Sequence, residues 1–353
     1  MRLVRRFAIG VRNPHSDAKA PRRACLLALG ISLSLACSGC DENECRPTFV
    51  AKNGLVGIDG GILDVPLDTS AAVVDGQGEL WTVGDDELLR GGVLVRKVDA
   101  RFHDVSTIEG ITATLEGQQA VIHLPADAAA EAIPGAPDRS EGGAMAGTMD
   151  GLWIVLLDSL REGGGRDVSL FHRVAGVWTD EAYPGAQPTG AGIALASSGE
   201  RVVVAVESDA LGTWGAAERV SGAWVQYSDI ATESATAAYG GDTPWLLTGV
   251  EGSQMIARHL GTCESEIGLV APAALSRWES GVYVTGYDGD GVPMRFAVTD
   301  ACESTATVLG EAQGLGYDEG IAAESGDAPV VVSQFHVDEA GSGFSDWAAV
   351  PCL

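Results

Sequence analysis

Short apolar segments with a two-residue period recur along the chain and indicate an all-β protein. Each follows a run of small residues and a turn that contains glycine, aspartate or serine. Alternating apolar positions beside such a turn are typical of a β-hairpin. Six copies of this unit occupy residues 71–83, 144–156, 193–205, 236–248, 273–285 and 321–333. The segment GITATLEGQQAVIHL, residues 110–124, is predicted to be a seventh copy.

A second hairpin unit follows the first. The segment HRVAGVW (172–178) resembles ERVSGAW (218–224), and KVDARF (97–102) is a looser relative. Nearer the C-terminus the same unit carries a cysteine eight residues after an apolar residue. These copies are MIARHLGTC (255–263), MRFAVTDAC (294–302) and FSDWAAVPC (344–352). Two hairpins give each repeat four antiparallel strands.

Four-stranded units that recur at this spacing resemble the blades of a β-propeller. We predict one propeller domain over residues 49–353, with about seven four-stranded blades of about 45 residues each, and six blades remain an alternative. A pair of β-sandwiches is the structural rival, but it would not require a repeated two-hairpin unit. The chain lacks the Trp-Asp signature, an in-register kelch glycine pair and a repeated Asp-box, so it matches no particular propeller family.

In a propeller the first strand of each blade lines the crowded central channel, which favours the small residues that begin each repeat. Aromatic residues such as Trp81, Trp153 and Tyr283 would then lie on the next strand. We expect these aromatic side chains to pack between adjacent sheets, in preference to forming a platform on which a carbohydrate stacks.

The N-terminal residues predict export. A basic segment with seven lysines and arginines is followed by ACLLALGISLSLA, residues 24–36, which has no charged residue. A positive region, a short apolar region and small residues at its end are typical of a secretory signal peptide. The apolar run is shorter than the ~20 residues that a membrane-spanning helix needs. We therefore assign residues 1–39 to a signal peptide.

The end of this signal resembles the lipobox of bacterial envelope lipoproteins, in which small residues precede a lipidated cysteine. Ser38-Gly39-Cys40 fits the last three positions, although Cys37 stands where leucine is usual. The resemblance implies lipidation of Cys40, a tether over residues 40–48, and an extracytoplasmic protein attached to a bacterial cell membrane by its acyl chains. A competing frame places the processed cysteine at Cys37.

Cysteine parity favours Cys40, because cleavage before it leaves four further cysteines, an even number for an oxidising compartment. We predict a Cys45–Cys352 bridge, since a propeller brings its two ends together to close the ring. Cys263 and Cys302 occupy equivalent positions in consecutive repeats, so we predict that they form a second bridge between neighbouring blades.

Charge excludes one class of partner. Residues 1–39 hold seven of the 22 basic residues and one of the 49 acidic residues, so the remainder carries a formal charge of −33. Nucleic acids bind through lysine and arginine, and we therefore expect no nucleic-acid partner. We expect a monomer without a cofactor, and a protein or a carbohydrate as its partner.

The sequence contains no catalytic motif that we recognise. It lacks a Gly-x-Ser-x-Gly elbow and a His-Glu-x-x-His motif, and its single Cys-x-x-Cys segment, Cys37 to Cys40, spans the predicted processing site. Histidines beyond the signal region are isolated and predicted to lie on strand faces or the surface; they are His103, His123, His172, His259 and His336. We assign no catalytic residue.

One acidic turn is a weak calcium candidate. The segment YDGDGV, residues 287–292, places Asp288 and Asp290 two positions apart. A complete calcium loop also needs further oxygen ligands and a later bidentate glutamate, and these are not in register. A hairpin turn is the simpler interpretation, because Asp-Gly is common in such turns.

Two classes of function agree with these features. The first is a lipid-anchored binding or interaction protein on a propeller scaffold, since loops on one rigid face can recognise a ligand without catalytic groups. The second is a propeller enzyme, a hydrolase or lyase acting on an envelope polysaccharide or a small substrate. A scaffold for other envelope proteins is a third interpretation.

Overall fold

Every regular element in the computed structural model of this chain is a β-strand, among the residues that it describes. These are residues 49–51, 54–56, 62–63 and 69–349, the last range with short gaps, and side chains are described between Val73 and Val308. Within this part of the chain there is no helix with the length and hydropathy to span a bilayer. The predicted signal peptide and tether, Cys40 and the Cys45–Cys352 pair lie outside the described residues.

The first four blades are antiparallel sheets whose strands follow one another in chain order. Three short strands precede them: β1 (Phe49–Ala51), β2 (Gly54–Val56) and β3 (Ile62–Leu63). Blade 1 contains β4 (Thr69–Val74), β5 (Leu80–Gly84), β6 (Glu87–Arg90) and β7 (Val93–Lys97). Blade 2 contains β8 (Phe102–Ile108), β9 (Ile111–Glu116), β10 (Val121–His123) and β11 (Glu131–Ala132). Blade 3 contains β12 (Ser140–Thr148), β13 (Gly151–Asp158), β14 (Val168–Val174) and β15 (Val177–Ala182). Blade 4 contains β16 (Ile193–Ser198), β17 (Arg201–Asp209), β18 (Thr213–Val220) and β19 (Ala223–Gln226), and the short β20 (Ile230–Ala231) also pairs with β18.

Blades 5 and 6 share one long strand. Blade 5 contains β21 (Ser234–Gly240), β22 (Thr243–Gly249), β23 (Gln254–His259) and the first half of β24 (Cys263–Trp278). Blade 6 contains the second half of β24, β25 (Gly281–Tyr287), β26 (Pro293–Thr299) and β27 (Ser304–Val308). Blade 7 has three strands in the described part of the chain, β28 (Tyr317–Ser325), β29 (Ala328–Val337) and β30 (Gly343–Ala349). The all-β propeller is therefore confirmed: six of its blades have four strands each, and β28–β30 form a seventh with three strands in the described part of the chain.

The first strand of each blade lies innermost, and these inner strands form a closed ring. β8 and β12 run side by side in the same direction. Asp104 Oδ2 accepts from Met145 N at 2.8 Å, and further along both strands Glu109 Oε2 accepts from Met149 N at 3.2 Å. Inner strands are neighbours all the way round, and β28 lies next to β4. β1 lies beside β30, so the first and last described strands are close together.

Apolar side chains fill the spaces between consecutive blades. On β13, Leu152, Ile154 and Leu156 face blade 2, whereas the intervening Trp153, Val155 and Leu157 face blade 4. All six are fully buried, which explains why this strand is a continuous apolar run although its side chains alternate between two faces. Clusters of the same kind lie between blades 1 and 2, 4 and 5, and 5 and 6.

The structure corrects the position that two predicted repeat segments occupy within a blade. All six principal copies are the first hairpin of a blade, as the sequence predicted. Residues 110–124, however, form the second and third strands of blade 2, whose inner strand is β8. Residues 97–102 join β7 to β8 and thus connect two blades. Residues 110–124 were misassigned because the inner strand of blade 2, FHDVSTI, lacks the run of small residues that marks the others.

A disulfide joins Cys263 to Cys302, the pair for which the sequence predicted a bridge between neighbouring blades. Its sulfur atoms are 2.08 Å apart and the two Cα atoms 6.1 Å apart. Cys263 begins β24 in blade 5, and Cys302 lies in the turn that precedes β27 in blade 6. The bridge therefore connects the outer hairpins of two adjacent blades.

Candidate functional site

Four consecutive inner strands carry a β-bulge next to their first residue. The pairing of β28, β4, β8 and β12 with their neighbours skips one residue each time, and the skipped residues are Asp318, Ser70, His103 and Glu141. All four residues are polar, and the four blades are adjacent in the ring. Because a bulge re-aims the side chain that it carries, bulges are common beside binding and active sites. We refer to the channel end defined by these four residues as the bulged mouth.

His103 is held at the bulged mouth by Ser140, which begins the inner strand of the next blade. The His103 Nε2 and Ser140 Oγ atoms are 2.7 Å apart, and Ser140 Oγ donates to the carbonyl of Gly117 at 3.3 Å. A hydroxyl has a single proton, so Ser140 accepts from Nε2–H of the imidazole. Ser140 is fully buried, and its hydroxyl therefore orients the histidine.

Two glycines leave the space that the imidazole occupies. A Cβ atom at Gly117 would lie 1.9 Å from His103 Nε2, and one at Gly143 would lie 3.0 Å from His103 Cδ2. The first distance is far inside van der Waals contact. Glycine is thus required at position 117 because any side chain there would collide with the His103 imidazole; the reason is steric and does not involve the backbone conformation of Gly117.

Asp104 follows His103 and bridges two inner strands. Its carboxylate accepts the backbone N–H of Met145 on β12 at 2.8 Å. Burial raises the pKa of Asp104 to about 7, and the backbone hydrogen bonds from Met145 and Val105 only partly oppose this shift. The mouth therefore contains a carboxyl group that takes up a proton near neutral pH.

Charged groups of both signs complete the bulged mouth. Arg166 donates to the carboxylate of Glu141 and, at 3.1 Å, to the carbonyl of Asp158. Only 8% of Arg166 is exposed, whereas Glu141 is exposed. Arg101 Nη1 donates to the carbonyl of Ser140 at 3.5 Å. These groups can donate to a polar ligand and accept from it.

The bulged mouth was missed at the sequence level. The available signal was a polar residue directly before each small-residue run, as in TSAA (69–72) and SEGG (140–143). Such a residue is ordinary at the start of a strand. Only the strand pairing shows that it is extra, and that its equivalents meet around one channel end.

The predicted histidines lie on strands, and the four with described side chains all have partners. His123 Nδ1 bonds the carbonyl of Ala128 at 2.8 Å. His172 stacks on Trp153 with ring centroids 3.8 Å apart, and His259 stacks on Trp245 at 4.9 Å. His336 lies on β29. Among the four histidines with described side chains, His103 is the one at the bulged mouth.

Two of the three aromatic residues that the sequence placed between sheets, Trp81 and Trp153, occupy those positions. Trp81 and Trp153 are 5% and 0% exposed and belong to the clusters between blades 1 and 2 and blades 3 and 4. Tyr283 is partly buried beneath the guanidinium of Arg295, 3.5 Å from the ring centroid. Trp81 and Trp153 are therefore not available as a carbohydrate platform.

The calcium candidate forms a capped turn. Asp288 Oδ1 accepts the backbone N–H groups of Asp290 and Val292, both at 2.9 Å. Asp75 makes the same two contacts, with Gln77 at 2.8 Å and Glu79 at 2.9 Å. One carboxylate oxygen of Asp288 is thus occupied by two backbone N–H groups of the turn that joins β25 to β26. Calcium binding stays a prediction from the sequence.

Comparisons with known proteins leave the family open. No protein-family model matches the chain, and no curated protein is similar to it in sequence. Among solved structures, YCF48 bound to a D1 peptide is 12% identical, with a TM-score of 0.48, and the match covers 86% of this chain and 95% of YCF48. The SapL1 lectin in complex with α-methyl fucoside is 11% identical, with a TM-score of 0.40 and coverages of 88% and 97%.

A gluconolactonase from Xanthomonas campestris is 13% identical, with a TM-score of 0.41, over 75% of this chain and 96% of the gluconolactonase. Structural similarities with such low sequence identities and TM-scores say nothing about the activity of this chain. The assignment of the fold rests on its own strand pairing and on the closed ring of inner strands.

Proposed function

We propose that this chain is an extracytoplasmic binding protein, lipid-anchored through Cys40, that holds a polar ligand at the bulged mouth. The observation that carries the proposal is the set of four bulges on consecutive inner strands. A single bulge is commonplace, but four at equivalent positions lie on neighbouring blades at one end of the ring, and the His103 and Glu141 side chains are described there. The ligand would be rich in hydroxyl or amide groups, since the site has donors and acceptors side by side.

Burial of Ser140 favours binding over nucleophilic catalysis. Its hydroxyl lies within hydrogen-bond distance of an imidazole, as in serine hydrolases, but it has no exposed surface. A nucleophile must reach the reacting carbon of its substrate. The Ser140–His103 pair therefore acts as a support that fixes the imidazole.

The enzyme alternative has one supporting observation. Asp104 has a pKa of about 7 and is adjacent in sequence to His103, and perturbed carboxyl groups in clefts are often catalytic acids or bases. A hydrolase or lyase at this mouth would use Asp104 for proton transfer. Turnover of a bound carbohydrate would distinguish it from a binding protein.

Array binding with matched variants tests the proposal. Arrays of glycans and of peptides are probed with the wild-type chain, with His103→Ala and with Glu141→Ala. The control is His172→Ala, which removes an imidazole that stacks on Trp153 in blade 3. We expect at least one ligand that wild type and the control bind and that both mouth variants lose.

Two outcomes would overturn the proposal. Ligands that all four proteins bind equally would place the binding site elsewhere. Conversion of a bound glycan to products, lost on Asp104→Asn, would favour the enzyme.

A further inference from the structure

A potential metal-ligand set lies at the opposite end of the blades from the bulged mouth, beside the disulfide. Within the described residues, a ring nitrogen of His259 and the sulfur atoms of Cys263 and Cys302 all lie within 4.8 Å of one another. Ligands of tetrahedral zinc bonded through sulfur at ~2.3 Å are about 3.8 Å apart. The two sulfurs therefore need to separate only modestly to take up that spacing.

The scaffold holds the two cysteines together without the bridge. β24 runs without interruption from blade 5 into blade 6, so the two blades are one continuous sheet. Trp245 of blade 5 packs with Val282 and Val298 of blade 6, and all three are fully buried. Reduction of the disulfide would thus leave both thiols within reach of one ion.

Two contacts fix the position of the His259 ring beside the cysteines. Its Nδ1 lies 3.1 Å from the carbonyl oxygen of Asp300, which can only accept, so Nδ1 carries the proton. The backbone of Asp300 is fixed by its N–H, which donates to the carbonyl of Ser280 at 3.2 Å. Stacking on Trp245 fixes the ring plane. Such outer contacts are typical of metal-binding histidines.

We propose that reduction of the Cys263–Cys302 bridge creates a zinc site with two thiolates and the His259 imidazole as ligands. The disulfide takes up two electrons and two protons from a dithiol, which is oxidised to its own disulfide. Binding of Zn²⁺ then releases both thiol protons to solvent. A water molecule occupies the fourth position. A small-molecule disulfide that takes up two electrons and two protons, and so becomes two thiols, re-forms the Cys263–Cys302 bond and releases Zn²⁺. This site is independent of the proposed binding function.

Zinc binding by the full chain tests the site. The chain is reduced with a phosphine under anaerobic conditions; the phosphine, with one water, becomes the phosphine oxide and leaves two thiols. Bound Zn²⁺ is measured by competition with a chromophoric chelator in wild type, Cys302→Ser, His259→Ala and His172→Ala. His172 is the matched control, since it stacks on Trp153 as His259 stacks on Trp245 but has no cysteine pair beside it among the described residues.

We expect reduced wild type to bind one more Zn²⁺ per chain than Cys302→Ser, and the oxidised chain to lack this extra ion. His259→Ala should weaken the affinity at least tenfold, whereas His172→Ala should leave it unchanged. Cobalt substitution of reduced wild type needs no variant and should give the thiolate charge-transfer bands of a tetrahedral site. Equal zinc uptake before and after reduction, or an unchanged affinity in His259→Ala, would overturn the proposal.

Discussion

Asp104→Asn should remove a pH dependence from the stability of the propeller. Asp104 lies between two inner strands, and its Oδ2 accepts the N–H of Met145 at 2.8 Å. Asparagine has nearly the same volume, and its carbonyl oxygen can accept the same hydrogen bond. The substitution therefore removes the ionisable group and keeps the contact between the strands.

The magnitude follows from the pKa of Asp104. Burial raises it from 3.8 to about 7 in the folded chain, a difference of about three pKa units. Each unit corresponds to about 1.4 kcal/mol, so the proton is linked to about 4 kcal/mol of folding free energy. Because the folded pKa is the higher one, this contribution is complete below pH ~4 and is lost as the pH rises to ~7. Above pH 7 the folded state holds a desolvated carboxylate, and the wild type is less stable than the variant.

Urea unfolding at pH 5 and pH 8, followed by tryptophan fluorescence, measures this difference. We expect the wild type to lose more stability than Asp104→Asn between the two pH values, by up to about 3 kcal/mol. Glu109→Gln is the control, because Glu109 makes a similar contact with Met149 N from an exposed position. Parallel profiles for wild type and Asp104→Asn would refute the desolvation argument.

Three further predictions concern anchoring, ring closure and the core. Cys40→Ala should release the protein from the membrane fraction, as immunoblots of fractionated cells would show; release by Cys37→Ala instead would mean that the other frame is processed. Non-reducing peptide mapping should recover a peptide that joins Cys45 to Cys352, as expected if the neighbouring β1 and β30 close the ring; Cys45 bonded to another cysteine would contradict it. Trp153→Ala should lower the free energy of unfolding by about 3–5 kcal/mol, because this side chain is fully buried between two blades; a loss below 1 kcal/mol would show that the blades do not depend on this contact.

Most of the fold could be predicted because its signal is local. Alternating apolar residues beside a glycine turn specify a hairpin within about a dozen residues, and all six principal copies are hairpins in the structure. The sequence also paired Cys263 with Cys302, since equivalent positions in consecutive repeats belong to adjacent blades. Where the local signal was weak, as at residues 110–124, the hairpin was assigned to the wrong pair of strands.

The bulged mouth was decided by tertiary structure alone. His103 and Ser140 are 37 residues apart and meet only because the inner strands of blades 2 and 3 begin side by side. A bulge is a property of how a strand pairs with its neighbour, and so no single segment reveals it. The same holds for Asp104, whose pKa depends on burial against β12. The sequence by itself determined the repeating hairpins. Closure of the ring determined which bulged residues lie at the same end of the channel, because that depends on contacts between blades.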